Sequence, residues 1–335
     1  MRSVDDFKLA VKALEVCGPS WEIQPERVNA FMQMGHFFEQ TIRPGQLYDL
    51  AERMPNPVWE VVYGCLRRAL HGVDAVELRG DEVLLWQLYN AGFIVQAGDV
   101  KIGADVVPVL RTYGWKDEDG LTRRVAGLID MLLITHHHPD HYDRELVKHC
   151  LQLGKPVLAP RTVGREWGDD PNMYVFEEGG RIELCDVEIV ARTGIHVWRE
   201  GEEDVPSLYY EVCDRLGFCM MITGDVDYTK RFEKTPGRRL DVLFLTWRNP
   251  NGRYEAGDGR EVVGTTRDAV EVALARIEPS MLVLEHYGEL EHIHKGWAAS
   301  YDMAAALKRE LKVPVEWLFW GERMRLNSLI TETNS

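Results

Sequence analysis

Apolar positions along this chain recur at helical spacing over residues 1–72 and at alternating spacing afterwards. Val4, Phe7, Val11 and Leu14 fall on one helical face, and Cys17-Gly18-Pro19 ends that helix. Pro25 to Phe38 carries a second apolar face and Gln46 to Met54 a third. Pro55-Asn56-Pro57 then breaks the chain, and Val58, Val61, Val62, Cys65, Leu66 and Ala69 mark a fourth helix. Residues 1–72 therefore read as a helical extension. It can serve as a cap, as an oligomerisation element that makes a homo-oligomer, or as an extension that packs on the rest.

From about Val76 the period becomes two. Val83–Tyr89 and Phe93–Val95 read as strands joined near Asn90-Ala91-Gly92, and Gly98-Asp99 turns the chain into Val100–Ile102. Met131-Leu132-Leu133-Ile134 reads as a buried strand, Asp143 to Leu153 as a helix, and Pro156–Ala159 as the next strand. Ile182–Leu184 and Val187–Val190 follow, with a link over Arg192–Ile195, then a hairpin from Leu208 to Thr223 around Asp214-Arg215-Leu216-Gly217. Val242–Leu245 and Met281–Leu284 are further buried strands. Between them Thr265, three residues ahead of Asp268, begins a helix with Val270, Ala273, Leu274 and Ile277 on its apolar face. A helix over Ala298–Leu311 and a strand over Val315–Phe319 complete the pattern. Strands and helices come in two successive groups, which predicts an α/β (α+β) layered architecture over residues 73–335.

A length of 335 residues suits one large domain or two smaller ones. The net charge of −15 and the short, scattered basic pairs (Arg67-Arg68, Arg123-Arg124, Arg238-Arg239) lack the basic stripe of a nucleic-acid binder. No apolar run approaches the ~18 residues of a membrane span, and the first residues lack the basic and apolar regions of a signal peptide. Cys17, Cys65, Cys150, Cys185, Cys213 and Cys219 form no C-x-x-C pair, so free thiols in a reducing compartment are expected. These readings point to a cytoplasmic protein without a membrane segment.

The chemistry concentrates in Thr135-His136-His137-His138-Pro139-Asp140-His141, at the exit of the strand that starts at Met131. Imidazole nitrogens and carboxylate oxygens are ligands for borderline divalent metals. Residues two apart in an extended segment point to the same side, so His136 and His138 can grip one ion together. Pro139 turns the chain, and Asp140 and His141 can reach a second ion, leaving His137 as the odd residue out. Downstream, His196, Asp225 and His286 each stand near the end of an expected strand, and Gly224 lets the backbone turn beside Asp225. Asp105, at the end of the third strand, is a candidate partner for a ligating histidine, or a plain turn aspartate. His292 and His294 compete with His286 from a polar loop, and His36, His71 and His149 are read as structural or surface. The chain shows no G-x-S-x-G elbow and no phosphate-binding G-x-x-x-x-G-K-[ST] loop.

The pattern His136-x-His138-x-Asp140-His141, with the later His196, Asp225 and His286, resembles the metallo-β-lactamase superfamily signature over about Val83 to Leu326. That resemblance implies a four-layer αββα sandwich with metals at one edge. It assigns His136, His138 and His196 to one ion, Asp140, His141 and His286 to the other, and Asp225 to a bridge between them. Two such ions, typically ~3.5–4 Å apart, can hold a bridging hydroxide at neutral pH and stabilise a developing oxyanion. Asp140 and Asp225 are then the catalytic carboxylates, and the cofactors are two divalent ions, zinc in first place with manganese and iron also compatible.

The loop Thr246-Trp247-Arg248-Asn249-Pro250-Asn251-Gly252-Arg253-Tyr254, the Ile129–Leu132 lead-in and the helix before His286 look most like one branch of that superfamily. This branch contains ascorbate-6-phosphate lactonase and N-acyl-phosphatidylethanolamine phospholipase D. The resemblance implies that Arg248 or Arg253 binds an anionic substrate, a role suited to a guanidinium. Three functions follow: a hydrolase of a small phosphorylated or lactone-containing metabolite, a phosphodiesterase or nuclease, and a non-catalytic metal-bearing scaffold. The acidic balance weighs against the second, and seven kept ligands weigh against the third.

Overall fold

The computed structural model describes residues 3–41, 56–78, 80–109, 116–117, 119–177, 179–196, 205–228, 232–246, 253–255, 261–263, 266–286 and 301–326. The helix read over Gln46–Met54, the capping Thr265, and Arg248, His292 and His294 lie outside them.

Two seven-stranded mixed sheets face each other. In the first, β16 (Arg323–Arg325), β1 (Val83–Gln87), β2 (Phe93–Ala97) and β3 (Val100–Ala104) pair antiparallel. β3 continues in parallel into β4 (Met131–Leu133), β5 (Val157–Pro160) and β6 (Met173–Phe176). In the second, β7 (Gly180–Leu184), β8 (Val187–His196), β9 (Val205–Asp214) and β10 (Cys219–Ile222) form an antiparallel meander. From β10 the sheet runs parallel through β11 (Val242–Thr246), β14 (Met281–Glu285) and β15 (Val315–Glu316). β12 (Arg253–Glu255) and β13 (Glu261–Val263) make a separate ribbon. The parallel runs bring the carboxyl ends of β10, β11 and β14 to one edge, the place where open α/β sheets bind ligands.

Alternation along the strands sorts side chains to the two faces. Leu85, Phe93, Val95, Ile102 and Leu133 meet Ile189, Val212, Ile222, Phe244 and Val283 between the sheets. Phe93 and Phe244 stack across that layer with ring centroids 4.3 Å apart. The buried Tyr210 hydroxyl donates to the Ile134 carbonyl at 2.7 Å, tying the second sheet to the strand that leads into the histidine motif.

Helices cover the outer faces: α1 (Val4–Cys17), α2 (Pro25–Thr41), α3 (Asn56–Ala75), α4 (Leu121–Leu128), α5 (Arg144–Gln152), the short α6 (Arg161–Gly164), α7 (Thr266–Ile277) and α8 (Tyr301–Glu310). α1 starts with a reciprocal capping box, Asp6 N–H to Ser3 Oγ at 3.2 Å and Ser3 N–H to Asp6 Oδ2 at 2.7 Å. The N-terminal helices pack on the C-terminal end of the sandwich. Phe31 lies 5.0 Å from Tyr301 and 5.4 Å from Trp317, ring to ring. Arg27 donates both guanidinium ends to Glu322 at 2.6 Å each, and Lys308 meets Glu316 at 2.9 Å. One continuous buried cluster runs from Leu132 and Val157 through Phe7, Phe31 and Trp317 to Leu243 and Leu282. Among the described residues, no helix is long and apolar enough to cross a membrane.

The structure corrects several expectations. β8 runs unbroken from Val187 to His196, so Arg192–Ile195 is strand and not a link. All ten residues hold register with β9, and Gly194 keeps place because Val226 fills the space over it: an added Cβ would stand 2.5 Å from a Val226 methyl. β15 spans only Val315–Glu316, whereas the pattern suggested a strand to Phe319. α4, β6 and β16 were not anticipated. The expectation of six free thiols fails: Cys213 and Cys219 stand opposite each other across the β9–β10 hairpin and form a disulfide. Cys17, Cys65, Cys150 and Cys185 are free.

Candidate metal centre

The strand ends at this edge carry histidines and carboxylates on backbone that few residues adopt. Asn90, Asp105 and His286 have φ of 64°, 45° and 56°, and Gly224 has 50°. A non-glycine residue in the left-handed region costs roughly 1 kcal/mol or more, and such positions gather at functional sites. Gly224 has a second reason to be glycine, since a Cβ there would stand 2.4 Å from Thr135 Oγ1. The turn that presents Asp225 therefore nests directly on the turn that presents His136.

Thr135 and Asp105 set the orientation of two histidines. Asp105 Oδ1 accepts the Thr135 N–H at 2.8 Å, and Asp105 Oδ2 accepts the Thr135 hydroxyl at 2.6 Å. With its proton given to Asp105, the Thr135 oxygen takes the Nδ1–H of His136 at 3.0 Å, which leaves His136 Nε2 as a lone-pair donor. Asp105 Oδ2 also lies 2.8 Å from His141 Nδ1, so Nε2 of His141 is the nitrogen turned to the site.

The seven residues expected from the sequence come together. One donor atom each from His136, His138, His196 and Asp225 forms a first group, and one each from Asp140, His141 and His286 a second; within each group the atoms lie within 4.8 Å of one another. His136 Nε2 and His138 Nδ1 are 2.9 Å apart. Asp225 stands between the groups: Oδ2 is 3.5 Å from His196 Nε2 and 3.6 Å from His141 Nε2, and Oδ1 is 3.0 Å from His286 Nε2. Asp140 Oδ2 is 3.6 Å from His286 Nε2 and 3.9 Å from His141 Nε2. His137 is exposed and joins neither group. His36, His71 and His149 sit on α2, α3 and α5. Arg253 begins β12, while Arg248 lies outside the described residues.

These residues fit a pair of cations. Among the described residues the buried His141 Nε2 has no hydrogen-bond partner, although three carboxylates surround the ring. Burial alone would lower the His141 pKa, but Asp225, Asp105 and Asp140 together hold it well above the ordinary histidine value. That is the signature of a pocket whose negative charge calls for a positive one. The first group behaves oppositely. Burial lowers His136 far below its usual value, takes His138 to about 4 and lowers His196, so all three offer lone pairs at neutral pH. Burial would raise Asp225, yet His286 and His141 keep it ionised, well below the usual carboxylate range. Asp140, Asp225 and His138 are the half-buried members of the site, the two aspartate side chains 15% and 12% exposed, against 0% for His141 and 1% for His286.

Four contributors escaped sequence reading. Thr135 was visible only as the residue before the histidines. Thr246 Oγ1 lies 2.8 Å from the Gly224 carbonyl and 3.4 Å from Asp225 Oδ1. Asn90 Nδ2 donates to the Asp140 carbonyl at 3.1 Å. Glu285 is buried with neither carboxylate oxygen hydrogen-bonded among the described residues; burial, reinforced by Asp105, raises its pKa far above normal and keeps it protonated. A charge closing an otherwise apolar strand was the available signal for Glu285.

Residues 86–291 match the family described as the beta-lactamase superfamily domain. A UPF0173 protein of Pyrococcus abyssi is 28% identical over 201 residues, which is 59% of this chain and 80% of that protein. Igni18, a metallo hydrolase from Ignicoccus hospitalis, shares the fold with a TM-score of 0.50 at 16% identity, over 73% of this chain and 98% of Igni18. CmlA, a diiron beta-hydroxylase from Streptomyces venezuelae, gives a TM-score of 0.50 at 15% identity, over 74% of this chain and 54% of CmlA. The family match takes in more than half of the sequence and every strand end that carries a histidine or aspartate of the site, so this chain belongs to the beta-lactamase superfamily.

Proposed function

We propose that this protein is a metal-dependent hydrolase of a small anionic metabolite, phosphorylated or lactone-containing, in the branch that holds ascorbate-6-phosphate lactonase and N-acyl-phosphatidylethanolamine phospholipase D. The observation that carries the hydrolase reading is the convergence of two donor groups on Asp225, with the buried Nε2 of His141 without a hydrogen bond among the described residues and surrounded by three carboxylates. His136, His138 and His196 would hold one ion, Asp140, His141 and His286 the other, and Asp225 would contribute to both. Zinc suits this mixed nitrogen and oxygen set, as do manganese and iron. Bound divalent ions would polarise the scissile group and bring the pKa of water near 7.

The chain's own residues do the rest. Thr135 and Asp105 fix which nitrogen His136 and His141 present. Asp140 and Asp225 would be the catalytic carboxylates, orienting an attacking water beside the ions. Arg248 and Arg253 follow the carboxyl end of β11, and the anionic-substrate reading rests on their sequence position beside the site. A charge-assisted contact is worth about 1.5–3 kcal/mol, so losing the correct arginine should lower capture roughly ten- to a hundredfold. The test is a screen of lactones, phosphate esters and phosphodiesters with metal-loaded protein, followed by kcat/KM of Arg248→Ala and Arg253→Ala on the substrate found. Turnover of a small anionic ester or lactone, weakened in one variant, supports the reading. Turnover confined to neutral substrates, or two variants like wild type, removes the anionic substrate.

A further inference from the structure

The connection between β1 and β2 reaches the metal-binding turn through one side chain. Asn90, 4% exposed, donates from Nδ2 to the main-chain carbonyl of Asp140 at 3.1 Å, fifty residues away in sequence. Its own carbonyl accepts Gln87 Nε2 at 2.8 Å, and the same amide reaches the Gly92 carbonyl at 3.1 Å, so the connection is braced from within. Gly92 presses on the other support of the site: a Cβ there would stand 2.8 Å from the Asp105 carbonyl. Asp105 in turn orients His141. One connection thus braces the backbone of Asp140 through Asn90 and abuts Asp105, which serves both halves of the centre; the Asn90 bond itself reaches the Asp140 turn.

An amide is a costly choice at position 90. The backbone is left-handed, a conformation that glycine adopts without penalty, and Oδ1 is buried with no hydrogen-bond partner among the described residues. What the amide adds over glycine is the bond to the Asp140 carbonyl. The turn beyond Pro139 otherwise closes on itself, with the N–H groups of His141 and Tyr142 both donating to the His138 carbonyl at 3.0 and 2.9 Å. We infer that Asn90 is a positioning residue for the Asp140–His141–His286 half of the centre and not for the His136–His138–His196 half; this rests on the two-ion reading above.

The experiment is zinc titration of the metal-free full chain, wild type against Asn90→Gly, by chelator competition that resolves each binding step, with thermal melting of the metal-free proteins alongside. Glycine keeps the left-handed backbone and removes only the amide. The inference expects two ions in wild type. In the variant it expects one at wild-type affinity and the other weakened at least tenfold, with the metal-free melting point little changed. Two ions bound as tightly as in wild type overturn it, and so does equal weakening of both, which would mark general structural damage. A wild-type chain that takes up a single ion overturns the two-ion reading and this inference with it.

Discussion

Asp105 and His141 are joined by a 2.8 Å contact from Oδ2 to Nδ1, with both side chains at most 1% exposed. The same aspartate takes the N–H and the hydroxyl of Thr135, so one carboxylate orients a histidine in each half of the site. Asp105→Asn should break this arrangement. An amide brings a donor where three donors already point, and one of Thr135 and His141 must turn away. Loss of such outer support typically costs 10–100-fold in metal affinity. Chelator competition against wild type is the measurement, and unchanged affinity would remove Asp105 from the account.

Acid should unfold the metal-free protein early. His136, His138 and His196 have folded pKa values below the ordinary 6.5, His138 at about 4. The unfolded chain therefore takes up their protons first, and stability is lost as pH falls from about 6.5 towards 4. Asp225, lowered in the folded state, adds stability present above its ordinary value of 3.8 and lost as pH falls further. His141 and Glu285 have the opposite sign: their raised values give stability that is full below 6.5 and 4.5 respectively and lost as pH climbs through the folded values, against three histidines that lose it on acidification. Melting in chelator at pH 7, 5.5 and 4.5 should show falling midpoints. A flat or rising series would contradict the neutral state of the three histidines.

The Cys213–Cys219 bridge sets a thiol count. Denatured, unreduced protein should titrate four thiols per chain and reduced protein six. Six before reduction would mean that the hairpin holds its cysteines side by side without bonding them. Removing the bridge should cost little, because it closes a loop of six residues that strand pairing already closes.

The site was legible because its residues sit at strand ends announced by apolar runs: Met131–Ile134 before His136, Met220–Ile222 before Asp225, Met281–Leu284 before His286. Elements whose pattern is diluted were not. β6 is an edge strand whose run Met173-Tyr174-Val175-Phe176 is only four residues long and leaves Val175 40% exposed, and β16 alternates two exposed arginines around Met324 with no apolar run to give it away. His196 lies in the first donor group, at the end of a strand longer than the apolar pattern implies. Thr193-Gly194 looks like a turn until Val226 is seen filling the glycine's face. The disulfide depends on hairpin register, and the supports at Asn90 and Asp105 depend on contacts fifty and thirty-six residues apart, which no local pattern carries.

The central claim is a two-ion centre divided by the Pro139 turn, and metal content per chain tests it most directly. Purified wild type should carry about two divalent ions, and Asp140→Ala about one, because Asp140 joins His141 and His286 and not His136 and His138. His137→Ala, altering an exposed side chain outside both groups, should keep two. An Asp140→Ala protein with undiminished metal content, or a wild type that binds one ion under saturating metal, would contradict the account.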